Sequence, residues 1–167
     1  ADLAIAPDSI VPLDPVAGNR LEIRAVFEWD DAEEFGLVVC CSPGGEEQTQ
    51  IRFNANPNHY YRREIPPLRE LVLDVTRSST RPDINNRESQ RCHAAHVAGE
   101  PVELRVFIDR SVVEVFVNGG RYYLAKRIYP ARPDSVGVRV FARGGKATLR
   151  SLDGWQMKAI WPLKENG

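Results

Sequence analysis

Alternation with a period of two runs through nearly the whole chain and limits its fold more than any other feature. Leu21, Ile23, Ala25, Phe27 and Trp29 alternate with Glu22, Arg24, Val26 and Glu28. The rhythm returns at Ile51 and Phe53, at Leu71, Leu73 and Val75, and from Val102 to Ile108. It continues from Val113 to Val117 and from Val136 to Val140. Gly36 to Cys41 and Tyr122 to Ile128 are short apolar runs, and Ala147 to Leu152 and Trp155 to Trp161 close the chain. Neighbouring side chains of a strand point to opposite faces, so each segment has one side for a core and one for water. The spacing predicts roughly ten short strands. No stretch of about a dozen residues carries the i, i+3, i+4 apolar spacing of a helix. Asp30 to Phe35 alone suggests a helical turn. Alternating βα units are therefore excluded. The expected fold is all-β, a two-sheet antiparallel β-sandwich of the jelly-roll or concanavalin-like kind, with residues 1–167 forming a single domain.

Turn residues agree with this. Asn118-Gly119-Gly120, Asp109-Arg110-Ser111 and Gly144-Gly145 each separate two strand-like runs, and Asn-Gly is a strong hairpin signal. Val102 to Pro130 therefore reads as a three-stranded meander. Thr76 to Arg91 differs: it is polar and holds Arg77, Arg81, Arg87 and Arg91 against Asp83 and Glu88. It reads either as a solvated loop or as a contact for an anion or a partner.

Composition removes several function classes. With 22 basic and 23 acidic residues the net charge is -1, which gives no basic face for nucleic acid or an anionic membrane. No run of about 18 apolar residues exists to cross a membrane as a helix. Ala1 to Ile10 lacks the pattern of a signal peptide, and the compartment, extracellular or cytoplasmic, stays open. Cys40, Cys41 and Cys92 form an odd set without the spacing of a zinc site. One of the adjacent pair could bridge to Cys92, or all three are free thiols. His93 and His96 would point to opposite faces of a strand, and His59 lies in a loop-like stretch. No metal and no cofactor is expected.

The most informative stretch is Glu103 to Pro130, ELRVFIDRSVVEVFVNGGRYYLAKRIYP. Its D-R-S turn, V-E-V-F strand, N-G-G turn and R-I-Y-P strand end resemble the C-terminal β-sandwich module of glycoside hydrolase family 32, the invertase, inulinase and levanase family. LEIRAVFEW, EFGLVV, QTQIRFNA and LVLDVTRSS upstream, and SVGVRVFARGGKATLRSLDGWQMKAIW downstream, follow that module's order of segments. The resemblance covers about residues 20–162.

In that family the catalytic carboxylates lie in a β-propeller ahead of the module. Retaining glycosidase chemistry needs two carboxyl groups about 5 Å apart. The W-M-N-D-P-N-G-like, Glu-Cys and Arg-Asp-Pro segments that supply the family's carboxylates do not occur in this chain. The resemblance thus implies a non-catalytic module that packs against the propeller of a β-fructosidase acting on sucrose, inulin or levan. Asp109, Arg110, Ser111, Glu114, Phe116, Gly120, Arg127, Tyr129 and Pro130 are its expected interface and structural residues. Phe107 and Phe116 place apolar groups on the meander's second face as well as the first, so that face is expected to bury against the propeller or against a second copy. Asp109 and Glu114 tempt a catalytic reading, but a sheet face offers carboxyls no cleft by default. The alternative is an independent fructan-binding module. Tyr60, Tyr61, Tyr122 and Tyr123, with Arg62 or Asn118 beside them, would then offer rings and polar groups to a fructan oligosaccharide.

Overall fold

The computed structural model describes residues 2–55, 69–85, 87–95 and 99–158. Twelve strands run in the order β1 (Leu3–Ile5), β2 (Ser9–Ala17), β3 (Arg20–Trp29), β4 (Glu34–Cys41), β5 (Thr49–Asn54) and β6 (Arg69–Asp74). They continue with β7 (Gln90–Ala94), β8 (Val102–Asp109), β9 (Val112–Val117), β10 (Tyr122–Arg127), β11 (Gly137–Arg143) and β12 (Ala147–Gln156). They form two six-stranded sheets, β1-β12-β3-β8-β9-β10 and β2-β11-β4-β5-β6-β7. Every pairing is antiparallel. No helix occurs among the described residues. The sandwich and the Val102 to Pro130 meander are as the alternation predicts.

The alternation sets the register. Leu21, Ile23, Ala25 and Phe27 of β3 stand opposite Ile108, Val106, Leu104 and Val102 of β8, and all eight are buried. A slip of one residue would turn this whole set outward. From the other sheet, Phe35, Leu37 and Val39 meet them, and Phe35 lies 5.3 Å from Phe27 and 5.1 Å from Trp29 between ring centroids. Burying one such side chain contributes about 1.5–3 kcal/mol.

Three strands escaped the sequence reading, and each lies at a sheet edge. β2 carries Pro12 and Pro15, which lack the donor a central strand needs but are tolerated where one side is unpaired. β1 has only three residues, and β7 exposes Gln90, Arg91 and His93. An edge strand needs less apolar alternation, so the pattern is faint where the sheet ends.

Other expectations need correction. Asp30 to Phe35 forms no helical turn. Asp30 N–H donates to the Lys146 carbonyl and Glu33 N–H to that of Arg143, and Glu34 already starts β4. This loop packs so closely on Gly145 that a Cβ there would sit 2.4 Å from the Asp31 carbonyl oxygen. The two closing strands are one, β12, with a bulge between Leu149 and Ser151. The apparent break between them is Asp153-Gly154, which β12 carries through paired to Arg24 and Ile23 of β3; residues 159–161 lie outside the described residues. A second bulge, where β11 crosses β4, contains Cys40 at φ 48°. Cys40 joins the main core while Cys41 packs with Val38 and Phe141 on the far side of the sheet. All three cysteines are free thiols.

Candidate functional site

The outward faces of the two sheets differ in chemistry. That of the second sheet is closed by charge. Arg143 binds Glu34 at 2.9 Å and lies 4.7 Å over the Phe141 ring. Arg52 bridges Glu34 at 3.5 Å and Asp74 at 3.0 Å. The first sheet instead presents aromatic surface. β8, β9 and β10 lie side by side, so Arg105 stands opposite Phe116 and Phe116 opposite Tyr123. Phe107 and Phe116 meet edge to face at 5.9 Å and 89°, and Phe116 and Tyr123 meet at 4.8 Å. Of the three large apolar residues that the described structure exposes, Tyr123 and Trp155 lie on this face.

Polar groups frame the ladder. Arg24 pairs with Glu103 at 2.7 Å, and Arg105 donates to Glu22 at 2.8 Å while lying 5.4 Å over the Phe107 ring. Tyr123 Oη donates to Glu114 Oε1 at 2.7 Å; this bond to a carboxylate, with burial and the carboxylate's charge, raises the phenol's pKa. Beside the rings, a shallow hollow of about 230 Å³ reaches Gly119 and Gly120. Asn118, Gly119 and Gly120 all take positive φ, at 47°, 70° and 89°, which is why this turn reads Asn-Gly-Gly. Asn118 Oδ1 also accepts the Glu103 N–H at 2.7 Å, tying the turn to β8.

The remaining motif residues gather at one end of the sandwich. Arg110 holds φ at 51° in the turn between β8 and β9, and its N–H donates to the Asn19 carbonyl at 2.7 Å. Ser111 accepts the Ile128 N–H at 2.9 Å, which brings Tyr129 and Pro130 beside it. Arg110, Ser111, Tyr129 and Pro130 line an open hollow of about 420 Å³ together with Arg81 and Arg132. Arg127 sits 5.5 Å over the Tyr129 ring, and Asp109 is exposed 4.0 Å from Arg20. The nine motif residues thus divide between a face and an end.

Glu47 was missed. In the polar run GGEEQ it reads as a solvated loop residue, yet it is wholly buried. Its carboxylate accepts Thr80 N–H at 2.7 Å, Thr80 Oγ1 at 2.9 Å, Ala131 N–H at 2.9 Å, Arg132 N–H at 3.1 Å and Ser135 Oγ at 2.6 Å. Burial pushes its pKa up, but the donors from Ser135, Ala131, Thr80 and Arg132 outweigh it and hold the group at about 2. The clasp binds the start of the Thr76 to Arg91 segment to the loop after β10. No single-residue pattern announces a carboxylate whose donors lie 33 to 88 positions away.

Glu114 is engaged by Tyr123, and neither it nor Asp109 lines the two hollows. No group of three or more His, Cys, Asp and Glu side chains is placed to hold a metal among the described residues. Tyr122 turns inward onto the core, its hydroxyl donating to the Ala95 carbonyl at 3.1 Å, while Tyr123 faces out. Tyr60, Tyr61, Arg62, His59 and His96 lie outside the described residues.

The family description "Glycosyl hydrolases family 32 C terminal" matches residues 4–156. The match begins ahead of residue 20, the start of the resemblance read from the sequence, and so takes in β2 and all but the first residue of β1. A fructan 1-exohydrolase of Leymus chinensis is 35% identical over 138 residues, 80% of this chain and 22% of that protein. One of Hordeum vulgare is 33% identical over the same shares. The chain therefore spans about a fifth of the length of the curated relatives it matches. In fold it is similar to fructan 1-exohydrolase IIa (E201Q) of Cichorium intybus in complex with 1-kestose. There the TM-score is 0.82 at 21% identity, over 95% of this chain and 35% of that one. Exo-inulinase of Aspergillus awamori gives a TM-score of 0.73 at 21% identity, over 96% and 28%.

Proposed function

Because the chain belongs to the glycosyl hydrolases family 32 C-terminal family, we propose that it is a non-catalytic module that packs against and stabilises the catalytic β-propeller of a β-fructosidase. The Phe107–Phe116–Tyr123 ladder is the contact surface. One observation carries this: the ladder's rings pack against one another on the outward side of a sheet whose opposite side already supplies the core. A sheet that met only water would need no second apolar face. The surrounding ion pairs suit the rim of such a contact, which within one chain covers about 600–1,500 Å². The curated relatives support the occupant, since most of their length lies outside the matched segment. Sucrose, inulin and levan remain the substrate class of the whole enzyme.

The fructan-binding alternative has less support. Of its four tyrosines only Tyr123 is described as facing outward, and Glu114 already binds its hydroxyl.

The test uses the full reading frame that encodes this chain. Changing Phe107 and Phe116 together to Ser should lower the temperature at which β-fructoside hydrolysis is lost, and should expose the module to limited proteolysis. An unchanged enzyme, or a reading frame with no catalytic propeller, overturns the proposal. Self-association of the isolated chain through the ladder, abolished by the same pair of changes, would show a second copy as the occupant instead.

A further inference from the structure

We propose that the hollow at the end of the sandwich, apart from the ladder, is a binding site for a short neutral oligosaccharide. Asn19, Arg81, Arg110, Ser111, Tyr129 and Arg132 bring polar groups and one aromatic ring to a space of about 420 Å³, within the size range of small-molecule sites. Two of its arginines arrive already paired. Arg132 holds Asp134 through two bonds of 2.8 and 2.7 Å, and Arg81 holds Asp83 in the same forked way. A guanidinium has five N–H donors, and a carboxylate about four acceptor positions. Asp83 and Asp134 stand outside the hollow's lining, so each arginine is held in place from behind and still has N–H donors left for sugar hydroxyls. The Ser111 and Tyr129 hydroxyls and the Asn19 amide oxygen offer acceptors.

The same pairing argues against a phosphate or carboxylate ligand. Asp83 and Asp134, with Glu46 at 3.5 Å from Arg132, cancel most of the positive charge an anion would require. A neutral polyol has no such requirement.

The walls are fixed before any ligand arrives. Glu47 binds Thr80 on one side and Ala131, Arg132 and Ser135 on the other, so the segments bearing Arg81 and Arg132 cannot drift apart without breaking the clasp. A preformed site loses less ordering entropy on binding. A buried carboxylate with its hydrogen bonds made from both loops also fixes their spacing.

Only the identity of the sugar, a fructose oligomer, rests on the proposed role in a β-fructosidase. Calorimetric titration of the 167-residue chain with a β-2,1-linked fructose trisaccharide tests the site, with inorganic phosphate in a parallel cell. The expected result is saturable binding with Kd around the millimolar range. Arg81→Ala, and Arg110→Gly, which keeps the left-handed turn, should each weaken it at least tenfold. No heat with the trisaccharide, binding indifferent to both changes, or saturation by phosphate alone overturns the site. The catalytic propeller is not involved, so failure here leaves the docking ladder standing, and failure of the ladder leaves this titration unaffected.

Discussion

Phe116 and Tyr123 stand opposite each other on β9 and β10, ring centroids 4.8 Å apart, on the side of the sheet away from the core. This placement separates two kinds of phenylalanine. Phe27, equally part of an alternating strand, is wholly buried between the sheets. Phe27→Ala should cost about 3–5 kcal/mol in urea denaturation of the chain. Phe116→Ala should cost only about 1 kcal/mol, the scale of a surface aromatic pair. Equal losses would mean that the outward rings already form a second core within this chain and have no docking role.

Asp109 and Glu114 give the second prediction. One is exposed beside Arg20, and the other accepts the Tyr123 hydroxyl; neither faces a cleft that could hold a sugar between two carboxyls. The chain alone should not release fructose from sucrose, inulin or levan above background. Turnover that disappears in Asp109→Asn or Glu114→Gln, followed by a reducing-sugar assay, would contradict this.

How legible these features were depended on the range of the contact. Alternation is local, so β3, β8 and β9 could be read directly, as could the Asn118-Gly119-Gly120 turn, whose conformation follows from its own residue types. Phe107 and Phe116 were legible as a second apolar face because their neighbours Val106 and Val115 had already claimed the first. β2 was obscured by Pro12 and Pro15, acceptable only at an edge, and edge position is a property of the assembled sheet. Glu47 was invisible for a related reason: its donors come from Thr80, Ala131, Arg132 and Ser135, and only the tertiary fold collects them. The hollow likewise joins Asn19, Arg81, Arg110 and Arg132 from four separate loops.

Gly36 supplies a third prediction, on packing rather than function. It lies in β4 at φ 154°, and a Cβ there would stand 2.0 Å from the Ile51 carbonyl oxygen of β5. Backbone cannot yield as a flexible side chain can. Gly36→Ala should therefore destabilise the chain by about 2 kcal/mol or more, beyond the usual gain from replacing glycine. Thermal unfolding read by circular dichroism checks it, and a midpoint equal to the parent's would show that the two strands can separate locally without loss.

Glu47 gives the fourth, and its sign follows from linkage. The folded-state pKa is depressed from the ordinary 4.5 to about 2. A group with a depressed pKa stabilises the fold fully above its unfolded value and loses that contribution as pH falls through the folded one. The clasp therefore acts in full above about pH 5 and fades between 4.5 and 2. A depression of this size corresponds to about 3 kcal/mol at neutral pH. Glu47→Gln keeps one acceptor oxygen but turns an amide donor toward groups that are themselves donors, so it should lose most of that amount at pH 7. Asp74 and Asp134 also have lowered pKa values, through bonds from Thr76 and Arg132 respectively, against the opposing effect of burial, so the parent's acid sensitivity alone does not isolate Glu47. The difference between parent and variant does. Measured by urea denaturation at pH 7, 4 and 2.5, the gap should be widest at pH 7 and narrow steadily toward pH 2.5. A gap that stays constant across the three would mean that Glu47 contributes shape without charge, and that the clasp does not depend on its ionised carboxylate.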